Sequence, residues 1–151
     1  MNTVLRTRST LAIVAFLAGT LAGGVGFATA SEIKVNLSGD QEVPPVQTTA
    51  SGTGTITVED DRSVKGKITT SDIKGTGAHI HEGAVGKNGP DIITLTKSSD
   101  NEWSVPSDAK LTDAQYDAYK AGNLYINVHS DANKSGEIRG QLKRDLGTGS
   151  R

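Results

Sequence analysis

The chain has 151 residues, no Cys, a single Met at its start and a formal net charge of −1. Without cysteine there is no disulfide, thiol nucleophile or thiolate metal site, so any metal must be held by imidazole, carboxylate, amide or hydroxyl groups. A mildly acidic chain with scattered charge is a poor match to a phosphate backbone, and nucleic acid is not an expected partner.

The first ten residues carry Arg6 and Arg8 and no acid, and an apolar stretch follows from Leu11 to Phe27. It closes on Ala28-Thr29-Ala30, the small-x-small pattern of a signal-peptidase site. The pattern predicts a cleaved export signal over 1–30, one domain over 31–143 and a frayed tail over 144–151. The apolar stretch is Gly-rich and shorter than the roughly 20 residues of a membrane span, so no span is expected in the mature form. The two arginines are not adjacent, which argues against a twin-arginine signal. The expected location is periplasmic or secreted.

Beyond residue 31 the sequence is strand-rich. Ile33, Val35 and Leu37 alternate with Glu32, Lys34 and Asn36, the signature of a half-buried strand. Gly39-Asp40 ends it, and Pro44-Pro45 keep the next stretch out of any helix. Segments 54–58 and 63–69 flank the turn residues 59–62 and read as a hairpin. Residues 77–81 alternate as a short strand, 83–90 form a Gly-rich loop, and 92–95 form another strand. Thr112 and Gln115 make a capping box, Leu111 and Tyr116 occupy the staple positions, and Gly122 supplies a stop, so a helix is expected near 113–121. Two last strands, 123–129 and 137–142, flank a polar loop over 130–135. Many short strands with one short helix predict a mostly β fold, an antiparallel β-sandwich of Greek-key, superoxide-dismutase-like or immunoglobulin-like type.

The chemistry gathers on one side of these strands. His79 and His81 are two apart and point the same way, with Ala78 and Ile80 on the other side. In 124–129, Tyr125, Asn127 and His129 share a face opposite Leu124, Ile126 and Val128. In 137–142, Glu137, Arg139 and Gln141 face away from Ile138 and Leu142. If the three strands are neighbours, these polar groups meet on one surface. Two imidazoles on a strand and a third from a neighbour make the nitrogen set of many metal sites. His79, His81 and His129 are therefore the candidate ligands, for Cu(II) first and zinc second. Glu82, Tyr125, Asn127, Asp131, Glu137 and Arg139 are candidate further ligands or groups that orient the rings. The competing reading makes the histidines a hydrogen-bonded surface pair and Glu137 with Arg139 a cross-strand ion network. Trp103 and Tyr119 read as packing residues. Nucleophilic catalysis finds no support: Ser130 follows His129 directly and points to the opposite face, and no G-x-S-x-G elbow occurs. The Gly83–Gly89 loop lacks the Lys-Ser/Thr ending of a phosphate loop.

Several runs resemble the CHRD domain, named after chordin: Leu37-Ser-Gly-Asp-Gln-Glu-Val-Pro-Pro-Val46, Ala78-His-Ile-His-Glu-Gly83, Gly86-Lys-Asn-Gly-Pro90, Leu111-Thr112, Gly122-Asn-Leu-Tyr-Ile-Asn-Val-His129 and Gly136-Glu-Ile-Arg-Gly-Gln-Leu142. They stand in family order and cover about 33–143. In chordin, related domains occur in several copies within an extracellular antagonist of bone morphogenetic proteins. This chain has one copy and a bacterial-looking signal, so that partner does not carry over. The His-x-His and Asn-Val-His runs also look like those of copper–zinc superoxide dismutases. Three histidines are too few for that two-metal site, and the disulfide cysteines are missing.

The expectation is therefore an exported Cu(II)-binding domain for copper handling or tolerance, with binding placed ahead of catalysis. An extracytoplasmic module that contacts another protein or a glycan, with structural histidines, is the alternative. A dismutase-like redox enzyme ranks third.

Overall fold

The computed structural model describes residues 31–144. The expected export signal and the tail beyond 144 lie outside the described residues. Among the described residues, nine strands and one helix follow in chain order: β1 (Ser31–Ser38), β2 (Ser51–Val58), β3 (Val64–Ser71), β4 (Gly75–Glu82), β5 (Asp91–Thr94), β6 (Thr96–Ser99), β7 (Glu102–Ser104), α1 (Asp113–Lys120), β8 (Leu124–Ser130) and β9 (Ile138–Gln141). A single 3-10 turn, Gly39–Gln41, follows β1.

All pairings are antiparallel, in the order β5-β4-β8-β9-β1-β2-β3-β7-β6. The two ends of this series are joined by one run of chain. Ile93 pairs with Ile80 of β4, Leu95 N donates to Ala78 O at 2.9 Å, and Lys97 pairs with Trp103 of β7. The sheet thereby curls almost onto itself and leaves little free edge, the barrel-like solution to the edge-strand problem. The expected mostly β, sandwich-like architecture with one helix is borne out.

The alternation read from the sequence produces the interior. Ile33, Val35 and Leu37 are buried while Glu32, Lys34 and Asn36 are exposed. Their register opposite β2 sets Ile33 against Ile56, and Ile56, Ile68, Ile126, Val128 and Ile138 are fully buried in one continuous core. The hairpin β2–β3 forms as expected, with Val58 opposite Val64 and Arg62 in the left-handed region at φ 73°. The capping box of α1 is present: Gln115 N donates to Thr112 Oγ1 at 3.2 Å and Thr112 N to Gln115 Oε1 at 2.9 Å. Tyr119 and Leu111 anchor the helix and its approach in the core.

Strands β6 and β7 escape the sequence reading. All four residues of β6 are exposed, so there is no alternation to detect, and β7 has Trp103 as its one buried residue.

Candidate metal centre

Strands β4, β8 and β9 are consecutive in the sheet, which is the condition the shared surface depends on. Register aligns the polar groups in rows. His79 lies opposite Asn127, which lies opposite Arg139. His81 lies opposite Tyr125, which lies opposite Gln141. His129 lies opposite Gly77, where an added Cβ would come within 3.4 Å of the His79 ring. One ligand atom from each of His79, His81 and His129 lies within 4.8 Å of the others. The reverse side of β4 and β8 is core: Ala78, Ile80, Ile126 and Val128 are all at most 1% exposed.

The hydrogen bonds around the rings determine where their lone pairs point. His81 Nδ1 lies 3.1 Å from Gly89 O, and His129 Nδ1 lies 2.8 Å from Lys134 O. A carbonyl oxygen only accepts, so a neutral ring that donates from Nδ1 to it presents a bare Nε2. Both Nε2 atoms lie 3.0 Å from Asn127 Oδ1. His79 Nδ1 lies 3.1 Å from His129 Nε2. Asn127 is held with its oxygen toward the rings because its Nδ2 faces Ser135 O at 3.4 Å and the Glu42 carboxyl. Two imidazole lone pairs and an amide oxygen thus converge, with the His79 ring beside them. At most one ring hydrogen, that on His79 Nδ1, lies among them. Such a centre calls for a cation.

A second layer of contacts holds this arrangement. Tyr125, only 3% exposed, stacks on His81 at 4.8 Å with an interplanar angle of 3°. The Arg139 guanidinium covers the same Tyr125 ring, 3.5 Å from its centroid. Arg139 donates to Ala84 O, Asn88 Oδ1 and Gln141 Oε1 at 3.1, 3.3 and 3.1 Å. Gly89 N donates to Tyr125 Oη at 3.2 Å. The loop that supplies Gly89 O to His81 is therefore fastened to the sheet by Tyr125 and Arg139. Gly136 has φ 134°, and a Cβ there would collide with Asn127 Nδ2 and the Glu42 carboxyl. This close approach is the reason a glycine stands at the position.

The remaining sequence candidates fall outside the imidazole cluster. Glu82 points to the opposite side of β4 from His81. Asp131 is exposed, 3.9 Å from Lys134 Nζ. Glu137 is buried and accepts from Thr48 Oγ1 at 2.7 Å. The cross-strand ion network is not found: among the described residues, neither Glu137 nor Arg139 forms an ion pair. Pattern reasoning passed over Glu42, which is 6% exposed behind Asn127. It lies in a stretch without periodicity, and its one signal is its place in the 37–46 run of the family resemblance.

Burial, reinforced by the neighbouring rings, lowers the His79 pKa below its ordinary 6.5. Burial likewise lowers that of His81, against the support that Gly89 O and Asn127 Oδ1 as acceptors give to the protonated ring. Both rings are therefore kept neutral and available as ligands. The unfolded chain takes up these protons at higher pH than the folded one, so unfolding gains protons as pH falls. Metal-free protein is expected to keep its stability above about pH 6.5 and to lose it as pH falls through the lowered folded values. Urea midpoints measured from pH 8 to pH 5 check this, and a midpoint that rises on acidification contradicts it.

A family model for the CHRD domain matches residues 33–142. No curated protein and no solved structure matches the chain.

Proposed function

The chain belongs to the CHRD domain family, and from that premise and the convergence of its imidazoles we propose that it is an exported protein that binds Cu(II) through His79, His81 and His129. The observation that carries this reading is the convergence of the three rings, with one ligand atom of each within 4.8 Å of the others and with Gly89 O and Lys134 O placed to accept the Nδ1 hydrogens and leave the Nε2 lone pairs turned inward. Asn127 Oδ1, 3.0 Å from both of those nitrogens, is the group placed to add an oxygen ligand or to position the rings. Three nitrogens and an amide oxygen suit Cu(II) better than Cu(I), because no soft sulfur ligand is present, and affinity order at nitrogen sites puts copper above zinc. Zinc is the second metal the donor set accommodates. An oxidising compartment outside the cytoplasm, reached through the expected signal over 1–30, is where Cu(II) is met. The role is copper handling or tolerance.

In this reading each residue has a task. Gly89 and Lys134 orient imidazoles through backbone oxygens, Tyr125 braces His81 by stacking, and Arg139 holds the loop that carries Gly89. Bound copper would supply an electron-accepting centre, and these residues keep its ligands directed. Among the described residues no helix is long and apolar enough to cross a membrane.

Calorimetric titration of the purified protein with Cu(II) and with Zn(II) at neutral pH tests the proposal. One Cu(II) per chain at sub-micromolar Kd, tighter than Zn(II), is the expected result. Absence of sub-micromolar binding of either metal overturns it.

A further inference from the structure

Glu42 is 6% exposed and follows the 3-10 turn after β1, where its N–H donates to Gly39 O at 3.1 Å. Its Oε1 is buried without a hydrogen-bond partner among the described residues. A Cβ at Gly136 would collide with both Glu42 Oε1 and Asn127 Nδ2, so carboxyl and amide nitrogen share the space that this glycine leaves open. Burial raises the Glu42 pKa, and the Arg139 charge, the Asn127 side chain and the Val43 N–H work against that rise. At its other end the same amide sets Oδ1 3.0 Å from Nε2 of both His81 and His129.

An Asn side chain has nearly the same shape when its NH2 and O exchange places, so its neighbours decide which end faces where. When His81 and His129 donate from Nδ1, their bare Nε2 atoms attract the NH2 end. An amide turned that way would donate to both nitrogens and occupy the lone pairs that a metal needs. It would also bring Oδ1 against Ser135 O and the Glu42 carboxyl, where an ionised carboxylate offers no hydrogen. A buried oxygen left among acceptors is costly. On the premise of the Cu(II) reading, we propose that Glu42 is a positioning residue of the metal centre: its carboxylate keeps the Asn127 oxygen on the imidazoles and leaves their Nε2 lone pairs open to the metal. Glu42→Gln places an NH2 group at the same point, which can donate to a turned Asn127, and so removes the preference.

NMR of the metal-free protein and Cu(II) calorimetry test this together. In the unsubstituted protein the Asn127 side-chain amide hydrogens are expected to show no nuclear Overhauser contact with the His81 and His129 rings. In Glu42→Gln that contact is expected to appear, and Cu(II) affinity to fall by at least about tenfold. In an Asn127→Ala background the same substitution is expected to change affinity by less than about threefold, because the amide that transmits the effect is gone. The role of Glu42 is overturned if the unsubstituted, metal-free protein already shows the amide hydrogens against the rings. It is also overturned if folded Glu42→Gln binds Cu(II) as tightly as the unsubstituted protein, or if the loss is equally large with Asn127→Ala. Absence of copper binding by the unsubstituted protein overturns the metal reading and this role with it, whereas retained copper binding with an unresponsive Asn127 overturns the role of Glu42 alone.

Discussion

Replacing His81 by alanine is expected to lower Cu(II) affinity by at least about 100-fold, because loss of even an outer-layer partner of a metal ligand costs roughly 10–100-fold. His81 is the ring most firmly directed at the centre. Its Nδ1–H is held by Gly89 O, its face is stacked on Tyr125, and its Nε2 lies 3.0 Å from Asn127 Oδ1. Alanine removes the donor and also leaves Tyr125 without its stacking partner. Two measurements separate the readings. Titration with Cu(II) reports the ligand role, and urea unfolding of the metal-free variant reports any bracing role. An affinity equal to that of the unsubstituted protein would sink the metal assignment. A large loss of metal-free stability, with copper affinity retained, would show that the histidines serve the sheet instead.

Ile126→Ala is expected to be the most damaging single substitution for the fold, lowering unfolding free energy by about 2–5 kcal/mol. Ile126 is fully buried on β8, opposite Ile80 on β4 and Gly140 on β9. The cavity left by truncation cannot collapse easily, since its walls are three hydrogen-bonded strands. Against a total stability of about 5–15 kcal/mol for a domain, this is a large fraction. Ile126 also stands between Tyr125 and Asn127, so the substitution acts on the strand that carries the centre from its other face. Denaturant unfolding checks the value, and a loss under about 1 kcal/mol would mean that the strands close over the gap.

Much of the architecture follows from alternation alone. Ile33, Val35 and Leu37 declare a strand and its inner face, and the same period in 77–81 and 124–129 separates His79, His81, Asn127 and His129 from the core. The capping box at Thr112 and Gln115 marks the helix start within its own few residues. These features are local, so the sequence carries them in the open. Strand β6 is polar on both faces and β7 is short, and neither has a period to read; β7 is placed by pairing with β3, distant in the chain, and β6 by pairing with β7.

The sequence by itself determined that three imidazoles and no sulfur would face away from a β core. It did not determine that they would meet. That depends on β4, β8 and β9 being neighbours in a register that sets His79 against Asn127 and His81 against Tyr125. Tertiary structure alone also decided the direction of the lone pairs, since Gly89 O and Lys134 O are backbone atoms with no residue signature. It alone turned Arg139 from a surface ion-pair candidate into a buried cation stacked on Tyr125. Periodicity encodes which side of a strand a residue takes, whereas hydrogen-bond partners and unpaired charges arise only when distant segments are packed together.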